Sequence, residues 1–428
     1  MSGHHDESCD HHDHPADEHG TDDQPGHDHD HHDGEHVEPF AEDPGHTYYY
    51  RRGELLVWTP HSERLQRVLA DEQPDVRLEA DRESGNYVIM HVTAETDIPT
   101  IVSRLLDAPR EEPLRVAPHH VVTTRAHVRG KPAHAPVPAP PRNETFGPVD
   151  SSAAVVAVLD TGVQATHPAL QKSCVALKAP NPSGLDDADP ADVARPAAVI
   201  AEQAGHGTFV AGIVLQEART AQVVFGAVID PTGVGDDESL AKGIRRCADH
   251  KGRLDIINIS AGGTAHPGTD LVLTWDALQH LWQKHPDVAV VAAAGNEASS
   301  EPLYPAAFPG VIAVGALDEA EENPAWFTNH GPWVRACTCG VLLNSTFPDY
   351  GGLQPADGTV PPGTGPFSSM WAYWSGTSFA CARVSGILAR KMSAQGTTAA
   401  KAFRSVTRTG TPLAFAEPHQ AIQLGVKM

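Results

Sequence analysis

From about residue 151 onward, short unbroken apolar runs alternate with helix-like stretches. The runs cover 155–159, 223–229, 256–259, 288–293 and 311–314 and are rich in Val, Ile and Ala. A strand with no polar face suits a parallel sheet covered by helices on both sides. The pattern predicts an α/β domain with a mostly parallel sheet over 150–428. In such sheets reactive groups gather at the carboxyl ends of the strands. Asp160 and Asn296 each follow one of these runs.

Residues 47–126 have a different rhythm. A strand at 54–58 leads into Thr59-Pro60, which reads as a helix N-cap followed by proline in the first turn. Leu65, Val68 and Leu69 then recur at helical spacing. Strands are expected at 76–78 and 87–92, joined across Gly85-Asn86. Asp97 opens a second helix with Ile101, Leu105 and Leu106 on one face, and 114–122 closes the unit as an extended run. The order β-α-β-β-α-β describes a small α+β domain, and by pattern alone a ferredoxin-like binding module fits it. Pro136, Pro138, Pro140 and Pro141 mark 127–149 as an extended linker.

Charge changes the picture at one end only. The formal net charge is −24, but residues 1–46 hold fifteen Asp and Glu, twelve His and no Lys or Arg. This tail has too few apolar residues to offset its ordering entropy and is expected to be disordered. His4, His5, His11, His12, His14, His27, His29, His31 and His32 alternate with carboxylates there, a composition that suits zinc or nickel. A solvated tail, or a pH sensor built from unpaired imidazoles, fits the same composition. No basic stripe points to nucleic acid. No run of 18 apolar residues points to a membrane span. No charged n-region with an apolar h-region is visible, so the expected compartment is the cytoplasm, with export by an unrecognised route as the alternative. Cys9, Cys174, Cys247, Cys337, Cys339 and Cys381 lack a secreted-framework spacing, which suits reduced thiols.

Three segments carry candidate chemistry. They are the run ending in Asp160-Thr161-Gly162, the Gly205-His206-Gly207-Thr208 segment, and Gly376-Thr377-Ser378-Phe379-Ala380. A serine hydroxyl becomes a useful nucleophile when an imidazole takes its proton, and a carboxylate holds that imidazole in the right tautomer. The order Asp160, His206, Ser378 supplies the three groups. Taken alone, Thr377-Ser378 reads as a helix cap and Gly295-Asn296 as a turn. Asp-Thr-Gly also serves paired-carboxylate proteases, but those need two copies and this chain has one.

Together these segments resemble the subtilisin-like serine peptidases, the subtilases, from about 151 to 389. The stretch ending in Gly295-Asn296 resembles the family's oxyanion strand, 304–316 resembles the segment after it, and 256–263 resembles the substrate-binding strand. One departure is Ala382, where the family's serine motif usually carries proline. The resemblance implies a subtilisin-like three-layer domain in which Asp160, His206 and Ser378 are catalytic. It implies that Asn296 donates to the oxyanion with the Ser378 N–H, and that Ser260, Gly262, Gly263 and Gly295 contact substrate. It also implies that 47–126 is a propeptide-inhibitor domain, and that protein or peptide is the substrate. No cofactor is required for the chemistry, while structural calcium is common in the family. Asp186, Asp187, Asp189 and Asp192 cluster in one loop, although no EF-hand spacing is present. The expected function is a self-inhibited serine endopeptidase precursor. The alternative is a metal-responsive peptide-binding protein on a weakly active or inactive scaffold.

Overall fold

A computed structural model describes residues 37–43, 46–93, 96–124, 136–147, 149–177, 199–200, 203–349, 354–355, 367–409, 411–414 and 420–423. All of them belong to one compact unit, 36–428. The nine tail histidines proposed as metal ligands and the Asp186–Asp192 cluster lie outside the described residues.

The large sheet runs in the order Thr411–Ala414, Gln420–Gln423, Val334–Cys339, Ile312–Leu317, Ala289–Ala293, Ile256–Ile259, Val155–Asp160, Gln222–Ala227, Cys174–Ala176. Every neighbouring pair is parallel except the first. All five apolar runs are therefore strands of one sheet. Alternate side chains of Val155–Asp160 enter different cores. Val156 and Val158 join Phe209 and Val384, while Val155, Ala157 and Leu159 join Leu240, Ile244 and Leu278. Helices His206–Glu217 and Thr377–Gln395 cover one face, and Asp237–Ala248 with Val272–Lys284 covers the other. This is a three-layer α/β domain. Chain order reverses beside Val155–Asp160, because the next strands extend one edge and Ile256–Ile259 then joins the opposite side. Such a reversal opens a crevice at the strands' carboxyl ends.

The second sheet is antiparallel throughout, in the order Val234–Asp236, Val116–Thr123, His46–Trp58, Tyr87–Val92, Leu78–Ser84. Helices Ser62–Glu72 and Ile98–Asp107 bury Leu65, Leu69, Ile101 and Leu105 with Leu55, Val57, Val88 and Met90 of this sheet. Its opposite face offers Leu56, Ile89 and Ala117 to the core that holds Leu240 and Ile244. The sheet is thus buried on both faces, and its edge strand Val234–Asp236 comes from the larger domain.

Three local expectations change. Thr59 caps nothing, since Thr59–His61 is a 3₁₀ turn and the Thr59 hydroxyl donates to the Asn86 carbonyl at 3.0 Å. The strand expected at 76–78 is Leu78–Ser84, because pairing with Tyr87–Val92 across Gly85-Asn86 sets its register. Val37–Asp43 forms a strand on His46–Trp58, within the stretch expected to lack structure. A free sheet edge offers unpaired backbone groups to any nearby chain, and the tail's last residues use that edge. Asp97 does cap its helix, accepting from the Thr100 N–H at 3.4 Å.

Candidate active site

Asp160 is the last residue of its strand, fully buried at the point where the sheet order reverses. Its Oδ1 accepts from the Thr161 N–H at 2.8 Å and stands 2.7 Å from His206 Nδ1. A carboxylate can only accept, so Nδ1 carries the hydrogen and Nε2 keeps its lone pair. His206 opens helix His206–Glu217 behind Gly205, which has φ +85. Both flanking glycines are sterically required. A Cβ at 207 would meet the Gly162 carbonyl oxygen at 2.1 Å, and one at 205 would meet the Phe347 ring at 2.7 Å. The imidazole is held edge-on by Trp374, with ring centroids 5.3 Å apart, and packs beside Phe379 at 5.2 Å.

Phe379 immediately follows Ser378 in the first turn of helix Thr377–Gln395, so the turn that carries the serine packs against the imidazole through Phe379. The Ser378 hydroxyl, however, donates to the Ser260 carbonyl at 3.1 Å and not to His206. A serine hydroxyl can change acceptor by rotating between staggered χ1 wells, and catalytic hydrogen bonds commonly tighten only when substrate is bound. The Ser378 N–H is among the first amides of the helix, where the dipole favours negative charge.

Asn296 completes that corner. Its Oδ1 accepts from the Thr377 N–H at 2.8 Å and the Thr377 hydroxyl at 2.9 Å. Two donors on one oxygen settle which way the amide faces, so Nδ2 is left for a partner on the serine side. The Gly295 N–H donates to the Thr377 hydroxyl oxygen at 3.1 Å, tying the two segments together.

The residues expected to touch substrate separate. The Gly262 N–H donates to the Thr123 carbonyl at 3.1 Å, and the Gly262 carbonyl accepts from the Thr123 N–H at 2.8 Å. Gly263 instead exchanges both of its bonds with Tyr304, at 2.8 and 2.9 Å. Successive residues of a strand aim their backbone groups at opposite neighbours, so only Gly262 offers this edge to the cleft. Ser260 is nearer the chemistry than expected, since it touches Ser378 through both its carbonyl and its hydroxyl. The cleft's other wall is Gly233-Val234-Gly235, where Thr124 N–H donates to the Gly233 carbonyl at 3.1 Å and Val122 pairs with Gly235. Residues 121–124 therefore lie as a strand between two walls, a position that no local motif announced. Glu297 is a further unforeseen neighbour: burial pushes its carboxyl up, with the Asn329 side-chain amide donating to it at 2.8 Å.

The cysteines described are all unpaired and buried. Among the described residues no group of three or more His, Cys, Asp or Glu side chains is placed to hold a metal ion, and no helix is long and apolar enough to cross a membrane.

Comparison with known proteins agrees with this geometry. The chain is 34% identical over 260 residues to the thermophilic serine proteinase of Bacillus sp. (strain AK1), covering 58% of this chain and 53% of that protein. It is 29% identical over 271 residues to thermitase of Thermoactinomyces vulgaris, covering 61% and 82%. It thus spans about half the length of the first relative and most of the second. The crystal structure of a cold adapted subtilisin-like serine proteinase matches 66% of this chain and 90% of that one, with a TM-score of 0.50 and 21% identity, a likeness of fold. The model of the subtilase family matches residues 151–420, and this chain belongs to that family.

Proposed function

We propose that the protein is a serine endopeptidase made as a self-inhibited precursor. The observation that carries this reading is the Asp160–His206 pair set against the amino end of the Ser378 helix, with a strand of the chain's own N-terminal sheet lying in the adjoining cleft. In the reaction, the Ser378 hydroxyl turns from the Ser260 carbonyl to His206 Nε2 and gives up its proton there. Its oxygen bonds to the substrate carbonyl carbon, and the carbonyl electron pair moves onto oxygen. The Ser378 N–H and Asn296 Nδ2 face the resulting oxyanion. When the C–N bond breaks, His206 returns its proton to the leaving amine. A water deprotonated by the same imidazole then cleaves the acyl-enzyme, and the serine regains a proton. Asp160 stabilises the imidazolium throughout and is not itself protonated.

Self-inhibition rests on the ladder. Residues 121–124 use the backbone groups of Gly262, Gly233 and Gly235, the edges a peptide substrate would add to as a strand. In an antiparallel ladder two steps forward on one strand face two steps back on the other. A peptide in this register meets Ser260, the residue bonded to the nucleophile, two positions beyond Thr123. That predicts self-cleavage between Arg125 and Ala126, both outside the described residues. The test is incubation of the full chain followed by intact mass and N-terminal sequencing. The unsubstituted protein is expected to shorten, with Ala126 as the new terminus, while Ser378→Ala stays whole. A chain that neither shortens nor reacts with a fluorophosphonate overturns the peptidase reading.

A further inference from the structure

Asn258 is the one polar side chain in the apolar run Ile256-Ile257-Asn258-Ile259, and it is fully buried in the centre of the parallel sheet. An amide in such a place is expensive unless its hydrogen bonds are made. Here they are made, and they lead to one place. Oδ1 accepts from the Cys381 thiol at 3.2 Å and from the Ser385 hydroxyl at 3.0 Å, two side chains one turn apart on the helix that begins beside Ser378. Nδ2 donates to Ser260 Oγ at 2.9 Å, and that hydroxyl donates to the Ser378 carbonyl at 3.1 Å. The Ser378 hydroxyl returns to the Ser260 carbonyl. The path from Asn258 through Ser260 to Ser378 and back through Cys381 is closed.

A closed path of buried hydrogen bonds fixes distances that single contacts leave soft. This one bridges the sheet and the opening turns of the nucleophile's helix. Asn258 is too deep to meet substrate, so its influence reaches the reaction through Ser260 and the helix. Resting on the peptidase reading above, we propose that Asn258 is a positioning residue for Ser378, fixing the backbone of the nucleophile's turn relative to the Ser260 strand by holding both the strand and the helix with a single amide.

The test compares Asn258→Asp, Ser260→Ala and the double variant. Asp keeps the shape and the acceptors for Cys381 and Ser385 but loses the donor to Ser260. Each single change is expected to lower kcat and the fluorophosphonate labelling rate about 10- to 100-fold, with KM within about twofold. The double variant is expected to fall no further than the worse single, because both changes cut one link. Losses that multiply, or that only track a fall in melting temperature, overturn the proposal. A second pair stands if Asn258→Asp does not fold. Cys381→Ser keeps a donor to Oδ1 and should label near the unsubstituted rate, whereas Cys381→Val should label about tenfold more slowly; equal rates for the two overturn the proposal. Failure of the unsubstituted protein to label at all would remove the peptidase reading itself.

Discussion

Two buried histidines in this protein share one motif and differ in everything around it. His206 faces Asp160 through Nδ1, and His119 faces Glu54 through Nδ1. Both imidazoles are almost wholly removed from solvent. His206 lies at the carboxyl edge of a parallel sheet, clamped by aromatic rings and adjacent to the turn that carries Ser378. His119 lies at the seam between the two sheets, where Asp236 Oδ1 stands 3.8 Å from its Nε2, and Arg82 links Glu54 to Glu238. Burial alone would push the His119 pKa down, but Asp236 and Glu54 outweigh it and the net direction is up. The Glu54 carboxyl is held low by His119 and Arg82 against its own desolvation. A carboxylate–imidazole pair can serve as a proton relay where a hydroxyl and an oxyanion site complete it, the role proposed above for Asp160 and His206. Surrounded by further carboxylates, the same pair becomes an ionic fastener.

The sharpest way to break this comparison is to remove each imidazole. His206→Ala, expressed from Ala126 onward together with residues 1–125 as a separate chain, is expected to lower kcat on a chromogenic peptide by roughly 10⁶ relative to the unsubstituted protein made the same way. His119→Ala should leave that processed activity nearly intact and instead hasten the appearance of activity from the full chain. Full-length His119→Ala that gains activity no faster than the unsubstituted chain would end the distinction. Next in size is the oxyanion corner. Asn296→Ala is expected to lower kcat by roughly 10²–10³, the range found for such a donor in a subtilisin, with KM little changed. A loss confined to KM would place Asn296 in binding and not in the reaction.

The smallest effect sharpens the seam. His120, next to His119, is fully buried, and its Nε2 accepts from the His266 N–H at 3.1 Å. Burial, with the charges of His119 and His266, pulls its pKa down to about 3. Its neutral form is the folded one, so its contribution is complete above the ordinary value near 6.5 and is lost as pH falls toward 3. His119 has the opposite sign, since its contribution is present in acid and is lost as pH rises through its raised value. The full-length Ser378→Ala chain should therefore lose about 2 kcal/mol from His120 on going to pH 5, read as a falling melting temperature. His120→Gln should flatten that fall, and an unchanged slope would assign it to other groups.

Much of the molecule was legible in the chain itself. Runs such as 155–159 and 288–293 have no polar face, which suits a strand covered on both sides, so their sheet class could be read from composition at each position. Asp160, His206 and Ser378 were legible as candidates because each sits among glycines or beside an apolar run, and at Gly205 and Gly207 the close packing leaves no room for a Cβ. Thr59 was misread because a cap is decided by which amide happens to be near, and here the hydroxyl found the Asn86 carbonyl.

What the linear order determined is which segments become strands and helices and which few side chains can carry proton-transfer chemistry, because those depend on neighbours close along the chain. Which glycine faces the cleft, that Thr123 lies against Gly262, that Asn258 reaches Ser260 and the helix of Ser378, and that Glu54 meets His119 were decided only on folding. Those contacts join residues from far-separated segments, and their energies depend on distances that exist only once both sheets and the helices around them have closed on shared cores.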